Sequence, residues 1–168
     1  MTPWIQNVSM GDIQKGFHID PGINAMLIQI CDPPGDFPTP KYQFRETHQF
    51  QFLDVEEKDF VLEEEMRCSQ EQADELVGLL KHAMDKHMNV IVHCHAGVCR
   101  SGAVCEVGVM LGFRDTEVFR SPNLLVKHRM MKSLGWTYDE NEPVTINGIP
   151  VEYNEYGNPV TVTPQPKI

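Results

Sequence analysis

Short apolar runs, separated by polar stretches rich in proline or glycine, predict several strands along the chain. Residues 26–31 (MLIQIC) form one such run and are followed by a proline-rich loop. Residues 48–55 (HQFQFLDV) alternate in part between apolar and polar, and residues 89–93 (NVIVH) are apolar and β-branched. Each run is predicted to be a strand, and the last is expected to be buried on both faces.

Helical periodicity occupies the segments between and after these runs. A Ser-x-x-Gln capping box begins at Ser69, and apolar residues then recur at helical spacing to about His87. A second helix is predicted from about Ser101, and a third within residues 121–136, with Pro122 near its first turn and a glycine near its end. Alternating strands and helices indicate an α/β domain with a central, largely parallel sheet flanked by helices.

The composition changes near residue 138, where asparagine, proline, threonine and valine become frequent. Asn-Gly and Gly-Asn turn signals separate short β-prone pieces in this part of the chain. We therefore expect a main domain over residues 1–138 and a C-terminal extension over residues 139–168. The extension is expected to form one or two peripheral hairpins or to be partly disordered.

The charge of the chain narrows the class of partner. A chain of 168 residues has the size of one domain, and its formal net charge is -10. An acidic surface does not displace the counterions of nucleic acids or bind anionic lipid, so neither partner is expected. Without a long apolar stretch or a signal-peptide core, the expected location is the cytoplasm. The odd number of cysteines, five, predicts free thiols.

The loop between the strand at 89–93 and the helix from Ser101 contains the candidate chemistry. A loop at the end of a strand and the start of a helix binds anions, because its backbone N–H groups and the helix dipole point at the ligand. Gly97 gives this loop the conformational freedom to curl. The same groups would stabilise a thiolate nucleophile at Cys94, and Arg100, after five intervening residues, can return over the anion as a bidentate donor.

The segment HCHAGVCRSG matches the His-Cys-x5-Arg-Ser/Thr signature and resembles the protein tyrosine and dual-specificity phosphatase superfamily. The match includes His93, the pair Ala96 and Gly97, Arg100, and the hydroxyl of Ser101.

Other parts of the chain resemble small single-domain dual-specificity-like phosphatases of bacteria and phages. These parts are MLIQICDP, FQFLDV, the capped helix and SPNLLVKHRMM. The resemblance covers about residues 5–136 and does not include the extension.

This resemblance implies a role for each residue of the signature. Cys94 attacks phosphorus, Arg100 binds the phosphate, Ser101 helps the thiolate to leave, and His93 orients the loop. The implied phosphate-binding loop contains His93, His95, Ala96, Gly97, Val98, Cys99 and Arg100. The resemblance implies no metal and no cofactor.

A general acid is also required, because an alkoxide or phenolate leaves poorly unless it is protonated. The family uses an aspartate upstream of the cysteine. Asp54 is the first candidate because it ends the strand FQFLDV and strand ends face the loop. Asp59 is the alternative.

The function implied is hydrolysis of phosphotyrosine in a protein, or of a small phosphoester, with phosphoserine and phosphothreonine as further candidates. The same loop serves RNA 5'-triphosphatases and phosphoinositide phosphatases. The net charge disfavours both, and His95 and Val98 occupy positions where phosphoinositide enzymes have lysines. A phosphate-binding module without turnover remains a third alternative, and a zinc site is disfavoured because adjacent residues rarely bind one tetrahedral ion.

Cys99 has two open interpretations. It resembles the second cysteine of the low-molecular-weight tyrosine phosphatase loop, C-x4-C-R, and so is a candidate disulfide partner for oxidised Cys94. Alternatively it packs as a small apolar residue beneath the loop. Cys31, Cys68 and Cys105 are expected to be core thiols, and the first two are alternative partners for Cys94.

Overall fold

A computed structural model of the protein describes residues 1–17, 19–146, 149–153 and 159–161. Its central sheet contains five strands: β1 (Trp4–Val8), β2 (Ala25–Cys31), β3 (Glu46–Gln51), β4 (Asn89–His93) and β5 (Arg114–Asp115). Their order is β3-β2-β4-β1-β5, and every neighbouring pair is parallel. The predicted α/β fold with a largely parallel sheet is confirmed in this coarse form.

Four α-helices accompany the sheet within the described residues: α1 (Met10–Lys15), α2 (Gln70–Asp85), α3 (Arg100–Met110) and α4 (Leu124–Ser133). A short 3-10 helix covers Glu64–Met66. The capping box at Ser69 is present, and α2 ends two residues before the predicted His87. In α4, Asn123 is the N-cap, so Pro122 lies before the cap rather than in the first turn.

Alternating side chains of the strands supply two apolar layers, one on each face of the sheet. Met26 and Ile28 of β2 belong to the larger cluster, which contains the apolar faces of α2, α3 and α4. Leu27 points to the opposite face and joins the smaller cluster with Ile13 of α1. All seven residues of β2 are buried, as expected for a strand covered on both sides.

The sequence pattern predicts neither the strand β1 nor the helix α1. β1 lies between β4 and β5, near the middle of the sheet, yet it contains the polar residues Gln6 and Asn7. Five residues with two amides do not form an apolar run, so periodicity alone does not reveal a central strand. α1 has only six residues and begins with its own capping box at Ser9.

The extension contributes three short antiparallel strands, β6 (Thr145–Ile146), β7 (Ile149–Tyr153) and β8 (Pro159–Thr161). The Asn-Gly turn at 147–148 and the remainder of the extension lie outside the described residues, as does the expectation of partial disorder. Among the helices that the structure describes, none combines the length and the apolar character needed to cross a bilayer.

Candidate active site

The loop of residues 94–99 connects the carboxyl end of β4 to the first turn of α3. Because β4 lies between β2 and β1, this loop stands at the middle of the carboxyl edge of the sheet. Ligands of open parallel sheets bind at that edge. A cavity of about 380 Å³ opens there, and its walls include Cys94, Arg100, Asp32 and Asp54.

The main chain of the loop is oriented by hydrogen bonds to its carbonyl oxygens. Four such bonds come from outside the loop: Asn7 Nδ2 to Gly97 O at 2.7 Å, Met10 N to His95 O at 3.1 Å, Ser121 N to Val98 O at 3.2 Å and Asn123 N to Cys99 O at 3.0 Å. Within the described residues, the N–H groups of residues 95–99 have no protein acceptor. These four carbonyls thus point to neighbouring elements, and the N–H groups of the loop can bind an anion.

Gly97 is required by both its conformation and its surroundings. Its φ is +77°, a region that residues with a side chain rarely adopt. A Cβ at this position would lie 2.3 Å from the carbonyl carbon of Val8 and 2.5 Å from the backbone nitrogen of Ser9. The loop therefore rests directly on the end of β1.

The thiol of Cys94 lies at the base of the cavity, where the residue is only 3% exposed. Its Sγ is 3.2 Å from the hydroxyl oxygen of Ser101, which is fully buried in the first turn of α3. A hydroxyl at this distance can donate a hydrogen bond to a thiolate.

His93 is buried behind the loop and holds its first carbonyl. Its Nδ1 is 3.1 Å from the carbonyl oxygen of Cys94, so Nδ1 carries the proton that is donated to this oxygen. Burial lowers the pKa of His93, which favours the neutral imidazole. Within the described residues, no cluster of three or more His, Cys, Asp or Glu side chains is arranged to hold a metal ion.

The guanidinium of Arg100 is held from one side only. Its side chain is 5% exposed, and Nη1 donates to Asp32 Oδ1 at 2.6 Å and to the carbonyl oxygen of Phe52 at 2.7 Å. Its Nε is buried and has no partner in the described structure. Both hydrogen bonds thus leave from Nη1, and Nε and Nη2 donate to no protein acceptor among the described residues. These two groups together have the geometry for a bidentate contact with an oxyanion.

Asp32 is a site residue that the sequence reasoning missed. It directly follows β2, next to β4 in the sheet, and its side chain is 60% exposed in the cavity. A signal for it was present, because a polar residue at the carboxyl end of a parallel strand faces the same edge as the loop. That argument selected Asp54 and applies equally to Asp32.

The two candidate acids lie in different environments. Asp54 lines the cavity that contains Cys94, and its Oδ1 accepts a hydrogen bond of 2.8 Å from Asn123 Nδ2. Asp59 does not line that cavity, and its Oδ2 accepts a hydrogen bond of 2.6 Å from the backbone nitrogen of Glu56. The structure brings Asp54, and not Asp59, to the wall beside the thiol.

Cys99 is half-buried and also lines the cavity. Burial and then the negative charge of Asp54 raise the pKa of Cys99 to about 12, so its thiol is protonated at neutral pH. The remaining cysteines are buried free thiols, as expected: Cys31, Cys68 and Cys105. Burial raises the pKa of all three, to about 12 for Cys68 and Cys105.

A second cleft, of about 410 Å³, lies between α4 and residues 142–145 and contains none of these groups. Its two cationic side chains are already paired, Arg120 with Asp115 and Lys127 with Glu142. Of these two cavities among the described residues, the one at Cys94 combines a thiol, backbone donors without a protein acceptor and an arginine. Comparison of the chain with protein-family models and with curated proteins finds no match.

Proposed function

We propose that the protein hydrolyses phosphate monoesters through a cysteinyl-phosphate intermediate, with phosphotyrosine in proteins as the principal substrate. One observation supports the proposal: Cys94 lines the same cavity as Arg100, whose Nε has no described partner, and begins a loop whose N–H groups have no protein acceptor among the described residues. This arrangement suits a tetrahedral dianion and a sulfur nucleophile directed at its centre.

In the first step, the Cys94 thiolate attacks phosphorus and the bond from phosphorus to the ester oxygen breaks. The leaving oxygen takes a proton from Asp54, and a phosphorus–sulfur bond remains. The equatorial oxygens keep their contacts with the loop N–H groups and with Nε and Nη2 of Arg100. Stabilisation of this spread charge by fixed donors is the main source of catalysis in phosphoryl transfer.

In the second step, water attacks phosphorus, Asp54 accepts a proton from it, and the phosphorus–sulfur bond breaks. The sulfur leaves as a thiolate, which the hydroxyl of Ser101 at 3.2 Å stabilises. Inorganic phosphate is the product. The 2.6 Å ion pair with Asp32 holds Nη1 of Arg100 throughout, so that its opposite edge faces the loop.

The test is turnover of p-nitrophenyl phosphate in the presence of a chelator, followed by a panel of phosphopeptides. Cys94→Ser should abolish turnover and keep phosphate affinity, because the donors remain while serine is not ionised near neutral pH. A phosphate adduct on Cys94, trapped by acid quench and detected by mass spectrometry, would identify the intermediate. Full activity of Cys94→Ser would exclude the mechanism.

The alternative of a phosphate-binding module without turnover gives the opposite result in the same assay. Wild type would then bind phosphate without releasing product. The Cys94 to Ser101 distance favours turnover, since binding alone does not require a hydroxyl next to the sulfur. Including a 5'-triphosphorylated RNA and a phosphoinositide in the panel tests the two other substrate classes.

A further inference from the structure

The loop that follows Asp54 presents two large apolar side chains to solvent. Phe60 is 86% exposed and Leu62 is 81% exposed, although most large apolar residues of the chain are buried. Single exposed apolar residues are normal, but two of them on one short loop next to a reaction cavity indicate an interaction surface. We call this surface, residues 56–65, the acidic loop.

The charge of the acidic loop restricts what can bind to it. Residues 56–65 contain six acidic side chains and one lysine. Glu63 and Glu65 are exposed and have no ion-pair partner within the described residues. A ligand that covers Phe60 and Leu62 therefore brings its own apolar group next to unneutralised carboxylates, and positive charges on it are favoured.

Internal contacts hold the acidic loop at its base. Arg67, whose side chain is 10% exposed, donates to the carbonyl oxygens of Glu56 and Asp59. The carboxylate of Glu56 accepts from the backbone nitrogens of Leu124 and Leu125, at 2.8 and 3.0 Å. Phe60 and Leu62 thus lie on a loop whose base is held by hydrogen bonds. Because the loop is already ordered, the entropic cost of binding is lower.

The acidic loop is close to the cavity along the chain. Val55 lines the cavity, and Phe60 follows five residues later. Five residues span at most about 17 Å, a length that an extended peptide covers in about five residues. A peptide whose phosphorylated residue occupies the cavity can therefore reach the acidic loop.

We propose, on the basis of the proposed function, that the acidic loop selects the protein substrate. The preferred substrate is a phosphorylated segment with lysine or arginine and a large apolar side chain within about five residues of the phosphorylated residue. The apolar residue contacts Phe60 and Leu62, and the cations face Glu63 and Glu65. Acidic phosphopeptides are repelled by the same surface.

The experiment compares three phosphotyrosine peptides of equal length. The first contains basic and apolar residues next to phosphotyrosine, the second has the basic residues replaced by glutamate, and the third has the apolar residue replaced by serine. We expect kcat/KM for the first to exceed that for the second by about ten-fold at low ionic strength. The difference should shrink in 1 M salt, where charges are screened within about 3 Å.

Matched variants assign the preference to the acidic loop. Glu63→Gln with Glu65→Gln should reduce the charge preference, whereas Glu75→Gln with Asp85→Asn, an equal charge change on exposed positions of α2, should not. Phe60→Ser with Leu62→Ser should reduce the preference for the apolar residue. Ile23→Ser is its control, because Ile23 is 94% exposed but precedes β2, at the opposite edge of the sheet.

Turnover of p-nitrophenyl phosphate separates the two proposals, since all four variants should leave it unchanged. If neither this compound nor any peptide is hydrolysed, the proposed function fails, and peptide binding to Cys94→Ser by fluorescence anisotropy then decides the docking. Equal binding of the three peptides, or equal effects of loop and control variants, overturns the docking proposal. So does binding of phosphatidylcholine vesicles through Phe60 and Leu62 without any peptide preference.

Discussion

The loop of residues 94–99 and the loop of residues 54–65 both contribute residues to the same cavity, and they are held in different ways. The first is fixed through its own main chain, whose carbonyls accept hydrogen bonds from β1, α1 and the segment before α4. The second is fixed by side chains: Arg67 bonds its carbonyls, Asn123 bonds Asp54, and Glu56 binds the start of α4. The loop of residues 94–99 should keep its conformation when its own side chains change, because its main chain is held. The conformation of the loop of residues 54–65 can be altered by replacing one side chain at a time.

Replacement of Asp54 tests the residue of the loop 54–65 that is proposed to be the general acid. Asp54→Asn should slow esters with poor leaving groups by about 10² to 10⁴, because they need a proton, and should have little effect on activated aryl esters. The measurement is kcat/KM across a series of aryl phosphates of decreasing leaving-group acidity. If Asp59→Asn shows this dependence and Asp54→Asn does not, the acid has been assigned to the wrong residue.

Replacement of Arg100, the first residue of α3, tests whether its guanidinium acts through geometry or through charge alone. Arg100→Lys keeps the positive charge but removes the planar edge, so kcat/KM should fall by about 10² to 10³. Steady-state kinetics with p-nitrophenyl phosphate measure this loss. A fall of only two- or three-fold would mean that a point charge suffices and that the pair of donors Nε and Nη2 has no special role.

A methyl group at Gly97 tests the main-chain support of the loop. Gly97→Ala adds both backbone strain and an overlap with the end of β1, and should cost about 2–4 kcal/mol in the free energy of unfolding. Gly22→Ala is the control, because its φ is +84° but nothing lies within 4 Å of the added Cβ. Urea denaturation should show a loss of about 1 kcal/mol in the free energy of unfolding for Gly22→Ala. Equal losses would remove the overlap with β1 from the explanation.

Asp32 adds a side-chain contact to the part of the site next to the loop of residues 94–99, because its carboxylate holds the guanidinium of Arg100. Asp32→Ala should lower kcat/KM about ten-fold, as Arg100 then keeps only one of its two anchors. Asp32→Asn retains an acceptor oxygen and removes a negative charge from the cavity, so it should keep most activity and bind phosphate more tightly. Identical kinetics of the two variants would show that Asp32 does not position the guanidinium.

The smallest expected effect concerns Cys99 and depends on pH. With a pKa of about 12 the Cys99 thiol is protonated at pH 7, so only about one molecule in 10⁵ carries the thiolate needed to trap oxidised Cys94. This fraction rises about ten-fold per pH unit. After peroxide treatment, recovery of the proposed phosphatase activity by dithiothreitol should thus be nearly equal for wild type and Cys99→Ser at pH 7 and should differ at pH 9. A large difference at pH 7 would restore Cys99 as an efficient protecting thiol.

The sequence and the structure agree best where the information is local. Residues 89–101 contain a strand, the loop that follows it and the start of a helix. The start of α2 is encoded within four residues, the capping box from Ser69 to Gln72. Asp32 and the hydrogen bond from Asn123 to Asp54 depend instead on residues about 70 positions apart. No local pattern encodes such pairs.

Asn7 illustrates the same limit in the core. An amide in a five-residue segment reads as a surface residue, but in the structure it is buried and donates to the carbonyls of Gly97 and Phe119, at 2.7 and 2.9 Å. Its role is visible only once β1 has been placed beside β4. Two distant segments supply acceptors for the buried Nδ2 group, whereas Oδ1 has no partner among the described residues.

The position of β1 also has a consequence for the order of events during synthesis. Its parallel neighbours, β4 and β5, begin about 85 and 110 residues later in the chain, at Asn89 and Arg114. Contacts between such distant segments form slowly, because much chain entropy is lost before they are made. A nascent chain therefore cannot assemble the curl on β1 until more than half of the polypeptide has left the ribosome. The first appearance of the proposed activity would accordingly report closure of the whole sheet rather than completion of any single segment.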